Sequence, residues 1–152
     1  MKVTVFDGTK AKADKVVCKT FEEAEKLMRE CALKPLASLY FGYEDSECPE
    51  FDESPELSVN INGELAMLSY CYMEADEDDE YECDDYEEEG EPCLWFSIGN
   101  HKDKVRFLNG KGMKTSFKDG ENVVTLEQAI ECVKQFYKSN ELPDCIEWDR
   151  IC

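Results

Sequence analysis

The chain is 152 residues long, enough for one domain with a hydrophobic core, and its 42% apolar and 11% aromatic content is that of a globular protein. The formal net charge is −19, and residues 35–101 hold 21 carboxylates without a Lys or Arg, so the imbalance is confined to the middle of the chain. That charge disfavours nucleic acid and anionic membrane as direct partners, since both are polyanions; no apolar run reaches bilayer-spanning length, and the opening MKVTVFDGTK lacks a signal-peptide core, which points to a cytoplasmic protein.

Residues 1–6 alternate Val3 and Val5 with Lys2 and Thr4, the pattern of a strand, and Asp7-Gly8 turns the chain toward a returning strand at 15–19. Thr20 and Glu23 form a T-x-x-E capping box. Behind it Phe21, Ala24, Leu27, Met28 and Cys31 fall on one helical face, and Pro35 ends the helix. Residues 36–43 read as a buried strand, and the acidic, proline-containing stretch 44–56 as a loop.

Asn62-Gly63 is a two-residue hairpin signal between strand patterns. A turn at that pair aligns Ile61 with Glu64, Val59 with Ala66 and Leu57 with Leu68. Leu57, Val59, Ala66, Leu68 and Tyr70 then share one apolar face. Residues 74–91 contain 13 carboxylates and no apolar period, which predicts a loop between two strands. Leu94, Phe96 and Ile98 resume the sheet on one face, with Trp95 on the other. A polar turn at 99–103 leads to a strand at 105–108, Asn109-Gly110 turns again, and a short strand is expected around 113–117.

Thr125 and Gln128 repeat the capping logic as T-x-x-Q. Leu126, Ala129, Ile130, Val133, Phe136 and Tyr137 make the buried stripe of the second helix, ended by Asn140 and Pro143. Residues 145–148 are a terminal strand. The pattern predicts an α+β fold: an antiparallel sheet of about six to eight strands with two helices packed on one face. It forms a single domain, 1–152, with acidic loops at 44–56 and 74–91.

Chemistry-bearing patterns are scarce. The nine cysteines include no CxxC pair and read as reduced thiols used as small apolar residues, rather than as a zinc site or a disulfide framework. His101 is the one histidine and sits in a polar turn, without the partners that general base chemistry needs. No GxSxG, P-loop or GxGxxG occurs. An EF-hand reading of the run from Asp76 fails because Tyr81 stands where the loop needs Gly. The expectation is a non-enzyme with no catalytic residue, no cofactor and no metal site.

What remains is surface. The acidic run is readable as a solvated, solubilising loop, but Tyr81 and Tyr86 within it are residue types enriched at interface anchors. The candidate partner-binding residues are therefore Asp76, Glu77, Asp78, Asp79, Glu80, Tyr81, Glu82, Asp84, Asp85, Tyr86 and Glu87, with Trp95 added as core or anchor according to which sheet face is covered.

The segment 94–151 resembles a known family on four stretches. They are Trp95-Phe96-Ser97-Ile98-Gly99-Asn100, Val105-Arg106-Phe107-Leu108-Asn109-Gly110, the helix from Leu126-Glu127-Gln128-Ala129-Ile130 to Phe136-Tyr137, and Leu142-Pro143-Asp144-Cys145-Ile146-Glu147-Trp148. This combination resembles the first immunity-protein family of bacterial polymorphic toxin systems. The N-terminal match is weaker, and the long acidic 74–91 stretch is particular to this chain. The resemblance implies a non-enzymatic antidote that binds and neutralises a cognate toxin with a basic surface. It implies a toxin of the nucleic-acid deaminase superfamily, and no binding-residue motif. The alternative is an acidic interaction adaptor with no toxin partner.

Overall fold

Residues 1–7, 13–42, 55–73, 92–109, 114–139 and 141–151 are described by the computed structural model. In chain order they form β1 (Lys2–Asp7), β2 (Asp14–Val17), α1 (Phe21–Cys31), β3 (Ala37–Gly42), β4 (Glu56–Asn62), β5 (Leu65–Met73) and β6 (Pro92–Ile98). There follow β7 (Val105–Asn109), β8 (Lys114–Lys118), a 3-10 turn (Gly120–Asn122), β9 (Val124–Thr125), α2 (Leu126–Ser139) and β10 (Glu147–Arg150).

The main sheet has eight strands in the order β10-β6-β5-β4-β3-β1-β2, with β9 also paired to β5, and every pairing is antiparallel. Period-2 alternation gives it two faces. One carries Val3, Val5, Leu39, Phe41, Leu57, Val59, Ile61, Ala66, Leu68 and Tyr70, all buried in one cluster with Ala24, Met28 and Cys31 of α1 and Leu126, Ala129, Ile130, Val133 and Phe136 of α2. The two helices thus pack on one face, as the stripes predicted.

Both helix starts use the expected caps. In α2 the box is reciprocal: the Gln128 N–H donates to Thr125 Oγ1 at 3.1 Å and the Thr125 N–H to Gln128 Oε1 at 2.9 Å. In α1 the Glu23 N–H donates to Thr20 Oγ1 at 3.3 Å, but Glu23 Oε2 accepts from the Lys19 N–H instead of reaching Thr20. Tyr137 ties α2 to the start of α1 by donating its hydroxyl to the Cys18 carbonyl at 3.0 Å.

The hairpin register differs from the sequence expectation. Asn62 pairs with Leu65, Ile61 with Ala66, Val59 with Leu68 and Leu57 with Tyr70, so the two-residue turn is Gly63-Glu64. Gly63 takes the positive φ, +62°, that favours glycine at the first turn position. Asn62 stays in the ladder and its Nδ2 donates to the Arg106 carbonyl at 2.9 Å, a long-range contact invisible in the local pattern. Because the slip is an even one, every side chain keeps its expected face.

The second face is not left to solvent. β7 and β8 form a separate two-stranded sheet laid against it, where Val105, Phe107 and Val123 bury against Met67, with Leu65 and Phe96 packed alongside. The crossing point explains two residues. Gly99 lies so close to the 3-10 turn that a Cβ there would fall 1.6 Å from the Val123 carbonyl oxygen. Ser97, fully buried, accepts from the Leu68 N–H at 3.0 Å and donates to the Asn122 carbonyl at 2.7 Å. Among the described residues no helix is long and apolar enough to cross a membrane.

Candidate functional site

The acidic and tyrosine candidates within 76–87 lie outside the described residues, but their attachment points do not. The chain leaves β5 at Met73 and re-enters β6 at Pro92, and these two are cross-strand partners. Likewise it leaves β3 at Gly42 and re-enters β4 at Glu56, again partners. Gly42, Glu56, Cys71 and Leu94 form one row across the four strands. Both acidic segments therefore emerge from the same end of the sheet. Segments 43–54 and 74–91 together carry 19 of the chain's 36 carboxylates. Sequence reading found the charge of the first segment but gave it no role, because nothing local says that 43–54 and 74–91 share an end.

The opposite end has the opposite character. The β7–β8 hairpin and its approach carry Lys102, Lys104, Arg106, Lys114 and Lys118 against Asp103, and Arg106 adjoins the Asn62 turn through the bond above. Phe117, the cross-strand partner of Arg106, is 66% exposed. Strand β4, at about 3.3 Å per residue, separates the two ends by about 20 Å.

Trp95 lies one register step inside the acidic end. It pairs with Tyr70 on one side and Arg150 on the other, so it shares the helix-side face, where it is partly buried against the main core. The Arg150 guanidinium carbon sits 5.6 Å from its ring centroid, within cation–π range. Its Nε1–H is buried and meets no acceptor among the described residues. An unmet buried donor costs about 1–3 kcal/mol. The sequence left Trp95 between core and anchor; its ring is a core-margin group capped by Arg150.

His101 is a half-buried turn residue. Its Nδ1 lies 3.0 Å from the Asp103 carbonyl and 3.3 Å from the Asp103 N–H, and its own N–H donates to the Gly120 carbonyl at 3.1 Å. These contacts shape the turn. Between the sheet and the β7–β8 hairpin lies a cavity of about 170 Å³, bordered by Tyr40, Ser58, Asn60, Ser69, Phe107 and Lys118. Three of its polar lining side chains are engaged: Ser58 and Ser69 share a hydroxyl–hydroxyl bond, and Asn60 Oδ1 accepts from the neighbouring Ser38 at 2.7 Å. Among the described residues no three His, Cys, Asp or Glu side chains converge to hold a metal ion.

The residues carrying the family resemblance have structural tasks. Ser97 and Gly99 make the crossing onto the second face. In the C-terminal stretch, Trp148 Nε1–H donates to the Pro143 carbonyl at 2.6 Å and the Asp144 N–H to Gln135 Oε1 at 2.8 Å, closing the turn after α2. No family model matches the sequence, and no curated protein matches it either.

Proposed function

We propose that this chain is an immunity protein that neutralises a cognate bacterial toxin in the cytoplasm. It does so by laying its acidic sheet end over a basic, nucleic-acid-binding surface of that toxin. The observation that carries the proposal is that segments 43–54 and 74–91, whose sequence holds 19 carboxylates, leave and re-enter the sheet at the same end. The C-terminal pattern adds the family context and a toxin of deaminase type.

The mechanism is occlusion and steering. A toxin that acts on nucleic acid needs a positive groove for phosphates. An acidic body placed on that groove excludes the substrate as a polyanion mimic, and charge complementarity raises association by about 10 to 10³-fold. Exposed ion pairs contribute only about 0–1 kcal/mol each, so tight binding also needs desolvated aromatic contacts. Tyr81 and Tyr86 are the residues placed by sequence to supply them.

Co-expression with the product of the adjacent open reading frame tests this. Growth arrest by that product alone, relieved by this chain and by a complex that co-purifies, is the expected result. A harmless neighbour, or toxicity that persists with both proteins present, removes the toxin and leaves the adaptor reading.

A further inference from the structure

Cys132 and Cys145 are 13 residues apart in sequence, and their Sγ atoms lie 3.0 Å apart. Cys132 is on the buried stripe of α2 and has no exposure, whereas Cys145 is half-buried in the turn before β10. The approach is set by bonds on both sides of Cys145. The Asp144 N–H is tied to Gln135 Oε1 on α2, and Trp148 Nε1–H closes back on the Pro143 carbonyl. A disulfide needs its sulfurs at about 2.05 Å, so closure requires the sulfurs to approach by about 1 Å.

We propose that Cys132 and Cys145 are a covalent modification site, a dithiol that closes to an intramolecular disulfide by exchange with a low-molecular-weight disulfide such as oxidised glutathione. Cys145 is the entry thiol because it is the one with access to solvent. Its thiolate attacks one glutathione sulfur, the glutathione S–S bond breaks, and one glutathione thiolate leaves. Cys132 then loses its proton and attacks Cys145 Sγ, displacing the second glutathione thiolate. Both glutathiones end as thiols carrying the two protons, and the two cysteines are oxidised by two electrons in total. Burial pushes both thiols above their ordinary values, which makes the exchange slow at neutral pH. The product links α2 to the segment that feeds the edge strand β10, on which Arg150 covers Trp95.

Peptide mapping reads the bond directly. Trypsin cuts after Lys118, Lys134, Lys138 and Arg150, which puts Cys132 alone in 119–134 and Cys145 alone in 139–150. The full chain is equilibrated in glutathione buffers, starting once from the reduced protein and once from protein oxidised with diamide. It is then blocked with N-ethylmaleimide and digested. The expected product under oxidising poise is 119–134 linked to 139–150, reached from both sides. With it comes a melting temperature higher by about 5–10 °C than under reducing poise, as a loop of this length predicts. Cys145→Ser, at the partly exposed position, abolishes both. Full alkylation of Cys132 and Cys145 at every poise overturns the proposal, as does 139–150 linked mainly to other cysteine peptides. The mapping on the unsubstituted chain decides even if the variant does not fold.

Discussion

Asp7 places a carboxylate at 3% side-chain exposure at the end of β1, where Lys34 Nζ meets it at 2.7 Å. The Lys34 side chain is 37% exposed, and its ammonium is held above its usual range chiefly by that bond. A buried carboxylate deprived of its cation keeps its desolvation cost and loses the Coulombic part of its compensation. Lys34→Met is therefore expected to destabilise the fold by about 2–3 kcal/mol, below the cost for a fully buried pair because water reaches the ammonium. Adding Asp7→Leu in the same chain recovers part of that loss, since no charge then remains to be solvated. Urea unfolding of the single and double variants measures both; a double variant less stable than Lys34→Met contradicts this account. Neither partner was singled out by sequence. Their 27-residue separation leaves no local trace, and an Asp followed by Gly reads first as a turn. Trp95 illustrates a different limit at the same scale. Alternation correctly separated it from Leu94, Phe96 and Ile98, but with apolar residues on both sides of β6 the pattern carries no information about which face the helices take.

Elements were legible where their signals are local. Thr20 and Thr125 mark the helix starts because an N-cap hydroxyl and a Glu or Gln three residues on satisfy backbone N–H groups within one turn. The reciprocal box of α2 makes a sharper prediction than the displaced one of α1. Thr125→Ala removes the acceptor for the Gln128 N–H and is expected to cost about 1 kcal/mol, with Thr125→Ser close to neutral. Thermal or urea unfolding reads it, and an alanine variant as stable as the parent shows that the cap is replaced by other contacts. The β7–β8 hairpin was legible as two strands but not as a separate sheet. Its position follows from Gly99 pressed on Val123 and from Asn62 reaching Arg106, contacts across 24 and 44 residues respectively. The same Asn62 contact accompanies the turn at Gly63-Glu64, which the dipeptide rule alone placed one residue early.

At the scale of the whole molecule, topology sets where the charged segments join the sheet. Composition revealed the acidic middle of the chain, yet only antiparallel pairing of β3 with β4 and of β5 with β6 brings both acidic segments out at one end. The basic β7–β8 hairpin adjoins the other end, about 20 Å away along β4. The Debye length at physiological salt is about 8 Å, so charges separated by the length of β4 act on a partner nearly independently. On the proposed function, this sets what charge changes do to association with the toxin. Replacing the carboxylates of 76–89 by amides is expected to slow association by about tenfold or more and to flatten its salt dependence, with dissociation changed much less. Amides at Glu44, Asp45, Glu47, Glu50, Asp52 and Glu53 should act in the same direction, because they leave the sheet from the same row. Lys102→Gln with Lys104→Gln, at the far end, should move the rate by no more than about twofold at that salt. Stopped-flow association across a salt series separates these cases. Equal sensitivity to all three sets would mean that net charge alone governs encounter. No sensitivity to the 76–89 set would confine that run to keeping the chain in solution, and the proposed interface would then have to be sought away from the acidic end.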